Sequence, residues 1–527
     1  MIRGARAVRV PACTIAPMVG SARAALLIVA VLIALSAGTR AQQDRASHTH
    51  LVIVVDGLRP DSVTPEVMPR LFRLGQRGVL FRSHHSVFPT VTRVNGSSFV
   101  TGAYAESHGL MGNVLYSPRV DPAKGLDTGE RANLEAVERA EGRLLTAPTL
   151  SELLKPAGKT LLVVSSGSSG SAYVLNHTVA TGGIIHYAFT RPADLAIRVA
   201  AALGAAPPHA TPNDPQNQYA IDAYLKVGLN ELHPDVTFMW LNDPDGTAHA
   251  NGIGAELTLK SLALVDAGIG RIEDTLQARG LLDRVNILVT SDHGFSTHTR
   301  ELRLAALIEP FARPLPDGSK DIVVSEGAVY FRSGSDAARV SAIVDALQRR
   351  PEVGAIFTRP RPGGGAEGTV PGTLSFDVAR WNHPRSGDIL VSSNWTRETN
   401  AAGVAGTTTD GNVAGHGSSS PYDVHNTLIA AGPDFRERAV SDVPTSNVDI
   451  APTLLRLLGL PPAPSMTGRV ISEALRDGPS IASIAVDHVT DTVKSADGGY
   501  ALTAHISKAA GHSYLDFTEV VRAAAPR

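Results

Sequence analysis

Short, wholly apolar runs alternate along this chain with stretches whose apolar positions step by three and four. The first run, LVIVV (51–55), is too short for a helix, rich in β-branched residues, and stops at Asp56-Gly57, as a buried parallel strand does. TLLVVS (160–165), VTFMWL (236–241) and VNILVTS (285–291) behave alike, and the last stops at Asp292-His293-Gly294. Between the last two, Leu262, Val265, Ile269, Ile272 and Leu276 mark one face of a helix, with Gly280 as its stop signal. Strands alternating with helices predict an α/β fold: a mostly parallel central sheet covered by helices on both faces. In such sheets the residues just past the carboxyl ends of the strands line the ligand crevice.

The rhythm breaks between about 301 and 409. There the pattern predicts a strand around DIVVSEGAVYF, a helix over 336–349 and a Pro/Gly-rich loop, RPRPGGG, at 359–365. It resumes with TLIAAGPDF from Thr427 and a helix over 447–462, ended by Gly459 and two prolines. The expected organisation is a catalytic core over 42–300 and 411–527, interrupted by an inserted or cap subdomain over 301–410. Edge strands are expected over the final forty or so residues.

At the amino terminus, Arg3, Arg6, Arg9 and Arg23 precede an acid-free apolar stretch, ALLIVAVLIALSAGT (25–39), followed by Thr39-Arg40-Ala41. That arrangement predicts a signal peptide over 1–41, cleavage after Ala41 and export to the periplasm or beyond; the bland alternative is an uncleaved anchor. No other segment is long and apolar enough to span a bilayer. The composition, 43% hydrophobic and 19% charged, is that of a globular chain. The single cysteine, Cys13, lies in the leader, so any metal site must be built from histidines and carboxylates. Removing the five arginines of 1–41 leaves 43 basic residues against 50 acidic ones, a net −7 that argues against a nucleic-acid-coating surface. Oligomeric state is not legible.

Four clusters fall at strand ends: Asp56; Asp245 with His249; Asp292 with His293; and His416 in GHGSSSPYD. Singly, each reads as a turn, a cap or a satisfied polar residue. Together they offer three carboxylates and three imidazoles at one sheet edge, enough for two three-ligand sets binding borderline or hard divalent ions. A nucleophile is sought in FPTVTRVNGSSFVTGAYAESHGLMGN (88–113), where Thr92 precedes a helix start whose free N–H groups favour an anionic phosphoryl group. The plain alternative is that Thr92 caps that helix.

The order of VDGLRPD, PTVTRVN, TGAYAESHGLMGN, DPDGTAH, TSDHG and GHGS over residues 50 to about 470 resembles the alkaline phosphatase superfamily, and most closely its nucleotide pyrophosphatase/phosphodiesterase branch. The resemblance implies the alkaline phosphatase-like three-layer sandwich. It implies two Zn2+ ions, one held by Asp245, His249 and His416 and the other by Asp56, Asp292 and His293, with the Thr92 oxygen on the second. It further implies a phospho-threonine intermediate, and an Asn113 amide hydrogen-bonded to a phosphoryl oxygen. The expected partner is a small-molecule phosphate ester.

The likeness thins beside the nucleophile. The branch carries TFPNHY, in which the aromatic residue helps to stack a nucleotide base; here the places read Thr92-Arg93-Val94-Asn95-Gly96-Ser97. Arg93 either pairs with an anionic group of the substrate or points into solvent. A related branch of threonine-dependent phosphatases carries Lys-x-Arg after the third strand, whereas SSGSSGSAYVLN (165–176) holds no cation, which favours a diester over a monoester. The alternatives are a phosphomonoesterase or a phosphonate hydrolase. A sulfatase lacks its Cys/Ser-x-Pro-x-Arg setting here. From a different class, an inactive binding protein of the same fold would be expected to lose ligands, and all six stand. Trp381, Trp395 and Phe376 of the insertion are expected to pack rather than to bind.

Overall fold

Five apolar side chains in succession form a strand only where both faces of the sheet are covered, and the run at 51–55 meets that condition. The computed structural model describes residues 48–523, together with Gly4 and Arg9; otherwise the leader expected over 1–41 lies outside the described residues. The run belongs to β1 (Thr49–Val55), the middle strand of a nine-stranded sheet. In chain order its companions are β2 (Val79–Phe81), β3 (Leu161–Ser165), β4 (Gly183–His186), β5 (Phe189–Arg191) and β6 (Val236–Leu241), then β7 (Val285–Thr290), β8 (Leu428–Ala431) and β9 (Ala439–Ser441). Across the sheet they run β9-β2-β8-β7-β1-β6-β3-β4-β5. The five central strands β7, β1, β6, β3 and β4 are parallel, while β8 and β5 run against their neighbours. The expected α/β architecture is therefore present.

Alternate residues of these strands enter two different cores. Val52, Val54, Phe238 and Trp240 face one; Leu51, Ile53, Val55, Met239 and Leu241 face the other. A helix covers each side. On the first lies α1 (Thr92–Thr101), with Val94, Phe99 and Val100 turned inward. On the second lies α3 (Glu256–Ala278), which buries the five positions its periodicity marked. Between β6 and α3 the short helix α2 (Asp245–Asn251) rises from the sheet edge.

The region after residue 300 holds a second, five-stranded sheet built from strands within 322–393, with a helix over Ala337–Gln348. Two expectations need correcting. DIVVSEGAVYF is a hairpin, Ile322–Ser325 paired with Ala328–Phe331, because the chain reverses at Glu326, whose φ is +56°. The carboxyl-terminal strands do not edge the central sheet. Val486–Lys494, Tyr500–Ala509 and His512–Arg522 form an antiparallel sheet of their own, and the middle strand largely alternates buried and half-buried positions, as a sheet wetted on one face does. Trp381 and Phe376 are fully buried against each other, and the half-buried Trp395 donates its indole N–H to the Thr518 carbonyl; all three pack.

Candidate active site

The carboxyl ends of β1, β6 and β7 open on one cleft. Asp56 follows β1, Asp245 is the first residue of α2, and Asp292 and His293 follow β7. His416, expected at the same sheet edge, reaches the cleft instead from Ala414–Gly415, the end strand of a separate four-stranded sheet. Thr92 is the first residue of α1, and its cap position is taken by Val91 without a side-chain hydrogen bond, so the hydroxyl does not cap the helix. Thr92 is 4% exposed, and its Oγ1 lies 3.3 Å from His293 Nε2.

Each histidine of the set is anchored by Nδ1 to a backbone carbonyl: His249 to Ala414 (2.9 Å), His293 to Gly294 (2.9 Å) and His416 to Thr90 (2.8 Å). A carbonyl only accepts, so Nδ1 carries a proton and, in the neutral imidazole, Nε2 presents a lone pair, which is how metal-binding histidines are normally held. The carboxylates follow a similar rule. Asp56 Oδ2 accepts the Trp240 indole N–H at 2.9 Å, and Asp292 Oδ1 accepts the Gly57 N–H at 3.1 Å. Their other oxygens, Asp56 Oδ1 and Asp292 Oδ2, and Asp245 Oδ1 as well, are buried without a hydrogen-bond partner.

Those free atoms converge. His293 Nε2 lies 3.0 Å from Asp292 Oδ2 and 3.5 Å from Asp56 Oδ1; Asp245 Oδ1 lies 3.2 Å from His249 Nε2 and 3.4 Å from His416 Nε2. Two groups, Asp56–Asp292–His293 and Asp245–His293–His416, each bring three ligand atoms within 4.8 Å of one another. His293 thus stands between the sets, its ring stacked on His416 at 3.4 Å, while His249 joins through Asp245. Buried oxygens without donors, facing imidazole lone pairs, fit divalent cations and fit little else.

The electrostatics agree. Burial, and after it the Asp292 and Asp245 carboxylates, hold the Asp56 pKa well above the ordinary range. At Asp245 burial works the same way, but the imidazoles of His249 and His416 prevail and hold it well below. Burial opposes the charge on His249, yet the Asp245 carboxylate raises it to about 9. His416 is depressed to about 4, by burial first and then by the neighbouring His293. Three crowded carboxylates make a site that holds cations, whether protons or metal.

Asn113 and Arg93 sit at the rim. Asn113 Oδ1 accepts the Arg93 backbone N–H at 3.0 Å, which turns the amide NH2 the other way. The Asn113 backbone N–H donates to Glu326 Oε2 at 2.7 Å, so the turn of the 322–331 hairpin supports the residue. The Arg93 side chain is 14% exposed, with Nε donating to Thr128 Oγ1 at 3.3 Å and a terminal nitrogen 3.9 Å from Asp127. It does not point freely into solvent. A cavity of about 560 Å³ opens beside His416, lined by Pro89, Met111, Leu304, Glu326, Tyr330 and Asp410 among others, so residues between 302 and 410 form much of its wall.

Two supporting residues escaped the sequence reading. Trp240 reads as core in VTFMWL, and only its contact with Asp56 reveals a second use. Asp423 closes GHGSSSPYD; it is fully buried, accepts from the Ser418 N–H and hydroxyl and from the Ser296 hydroxyl, and so ties the His416 loop to the segment after His293. An acid at the end of a serine-rich motif was the available signal.

Residues 50–409 match the family described as type I phosphodiesterase / nucleotide pyrophosphatase. The chain is 24% identical over 249 residues to ectonucleotide pyrophosphatase/phosphodiesterase family member 1 of Homo sapiens, a match covering 46% of this chain and 23% of that protein, under a quarter of its length. It is 23% identical over 457 residues to bis(5'-adenosyl)-triphosphatase ENPP4 of Bos taurus, covering 84% of each. Among solved structures, murine ectonucleotide pyrophosphatase / phosphodiesterase 5 covers 81% of this chain and is itself covered in full, with a TM-score of 0.57 and 18% identity. An inactive form of that protein in complex with AMP gives 0.56 and 20%. At such identities these two structures speak for the fold.

Proposed function

The chain belongs to the type I phosphodiesterase / nucleotide pyrophosphatase family, and from that premise we propose that it is an exported, zinc-dependent hydrolase of small phosphate esters, cleaving phosphodiester or pyrophosphate links through Thr92. The observation that carries the reading is a buried threonine hydroxyl on the first turn of a ten-residue helix, 3.3 Å from an imidazole that itself meets two partnerless carboxylate oxygens. Zinc ions held by Asp245, His249 and His416, and by Asp56, Asp292 and His293, would supply Lewis acidity to the nucleophile and the leaving oxygen.

The chain's own residues account for the rest. The amino-terminal end of α1 favours the phosphoryl anion. The Asn113 amide NH2, turned away from the Arg93 N–H, donates to a non-bridging oxygen. Thr92 Oγ1 gives up its proton to solvent and bonds to phosphorus as the bond to the leaving alcohol or phosphate breaks, that oxygen taking a proton from solvent; water then displaces the threonine oxygen, its OH going to phosphorus and its proton restoring the hydroxyl. Arg93, held at the rim by Thr128, takes the substrate's further anionic group. The absence of cations from 165–176 supports a diester over a monoester. The leader-like pattern of 1–41 supports export.

The test is a screen of phosphodiesters, pyrophosphates, monoesters and phosphonates on zinc-loaded protein. Faster turnover of a nitrophenyl nucleotide diester than of nitrophenyl phosphate is expected; a strong monoester preference overturns the substrate class. Full activity after complete metal removal overturns the metal-dependent mechanism.

A further inference from the structure

Away from the cleft a third group of ligand atoms comes together. His85 ends the short strand His84–His85, His425 follows the helix Pro421–Val424 and bridges His85, and Asp516 lies on the last strand of the carboxyl-terminal sheet. Each offers one ligand atom, and the three atoms lie within 4.8 Å of one another. The rings of His85 and His425 are 4.6 Å apart.

The group repeats the construction of the cleft. His85 Nδ1 donates to the Thr445 carbonyl at 2.9 Å, so its Nε2 is the outward atom, 2.7 Å from Asp516 Oδ1. The other Asp516 oxygen accepts the Ser507 hydroxyl at 2.8 Å, leaving Oδ1 for the imidazoles. His425 Nδ1 is buried without a hydrogen-bond partner. The placement of Asp516 is itself specific: His505 pairs with Phe517 and Ile506 with Leu515, so Asp516 is the extra residue of a β-bulge, a device that re-aims one side chain. A hydrogen-bonded His85–Asp516 pair explains two of the three residues and leaves the His425 nitrogen unexplained.

We propose that His85, His425 and Asp516 bind a divalent cation of the zinc class, which clamps the carboxyl-terminal sheet to the catalytic core. Two imidazoles, a carboxylate and a water make a four-coordinate set for zinc. With Zn–N and Zn–O bonds of about 2.0–2.2 Å in tetrahedral geometry, the 2.7 Å His85–Asp516 contact opens by roughly 0.6–0.9 Å on binding.

The test is zinc content per chain in the full-length protein, compared with Asp516→Asn and His425→Gln. Each variant is expected to hold one ion fewer than the wild type while keeping its turnover of a phosphodiester, since neither residue touches the cleft's ligand set. The reading is a difference, so it stands whatever number of ions the cleft takes and fails separately from the proposed activity. In a second arm the cleft is disabled by Asp56→Ala together with Asp245→Ala. That protein should show a thermal midpoint that rises with added Zn2+, and adding His425→Gln should abolish the rise. Equal zinc content in wild type and both variants, or a midpoint response indifferent to His425, overturns the proposal.

Discussion

In the proposed mechanism Thr92 and Trp240 both serve the second ligand set, and their loss should be felt differently. In that mechanism, Thr92→Ala removes the nucleophilic oxygen and leaves the six carboxylate and imidazole ligands in place. Turnover is expected to fall by about 10³-fold or more, with zinc content unchanged; near-normal activity on every ester tested would exclude Thr92 as the nucleophile. Trp240→Phe keeps an aromatic side chain in the core but deletes the indole N–H held by Asp56 Oδ2. A carboxylate freed to rotate binds metal less well, by about 10- to 100-fold for such supporting contacts, and competition against a chelator measures it. Unchanged affinity would reduce Trp240 to a core residue. Arg93→Ala should raise KM for substrates carrying a second anionic group and leave singly charged diesters untouched. A uniform effect on all substrates would point instead to its hydrogen bond with Thr128.

At the scale of elements, the strand ends carry the site because the turns there are tightly constrained. Gly57 leaves β1 at φ +71°, and a Cβ on it would come within 2.9 Å of the Phe295 ring and 3.2 Å of Asp245 Cβ. Gly57→Ala is therefore expected to cost about 1–2 kcal/mol from the backbone conformation alone, with the contact adding to it, as a shift in denaturant midpoint would report. Because the Gly57 N–H also holds Asp292 Oδ1, zinc should be lost along with stability. The strands and α3 were legible in the sequence because a buried parallel strand and an amphipathic helix leave distinct periods. Asp56, Asp292 and His293 were legible as candidates because they directly follow such runs; Asp245 stands beyond one with three residues between, and His249 and His416 were legible only through the order of motifs. The hairpin at 322–331 was not, since Glu326-Gly327 interrupts an apolar run too briefly to read as a turn. Nor was the independence of the carboxyl-terminal sheet: alternation reveals a half-buried strand, while its choice of neighbour depends on contacts distant in sequence.

For the molecule as a whole, protons and metal compete for the same atoms, and the direction of that competition follows from His249. Without metal its folded pKa is about 9 against an ordinary 6.5, a rise caused by Asp245 against the opposing effect of burial. The stabilisation from this pair is thus complete below about pH 6.5 and is lost as pH climbs through 9. Zinc requires the neutral imidazole, so across the same window each His249 proton must leave before the ion binds. The metal-loaded and metal-free proteins should therefore diverge as pH rises from 6.5 to 9: the free form loses stability while zinc binds more tightly and stabilises by mass action. His249 is about a third exposed at the cleft, so solvent screening trims the shift and narrows this pH window. Thermal midpoints of both forms at several pH values, with proton release on zinc addition measured in weak buffer, test this directly. A gap that narrows with rising pH would show that Asp245 and His249 do not share the ion, and would break the first ligand set while leaving the second intact.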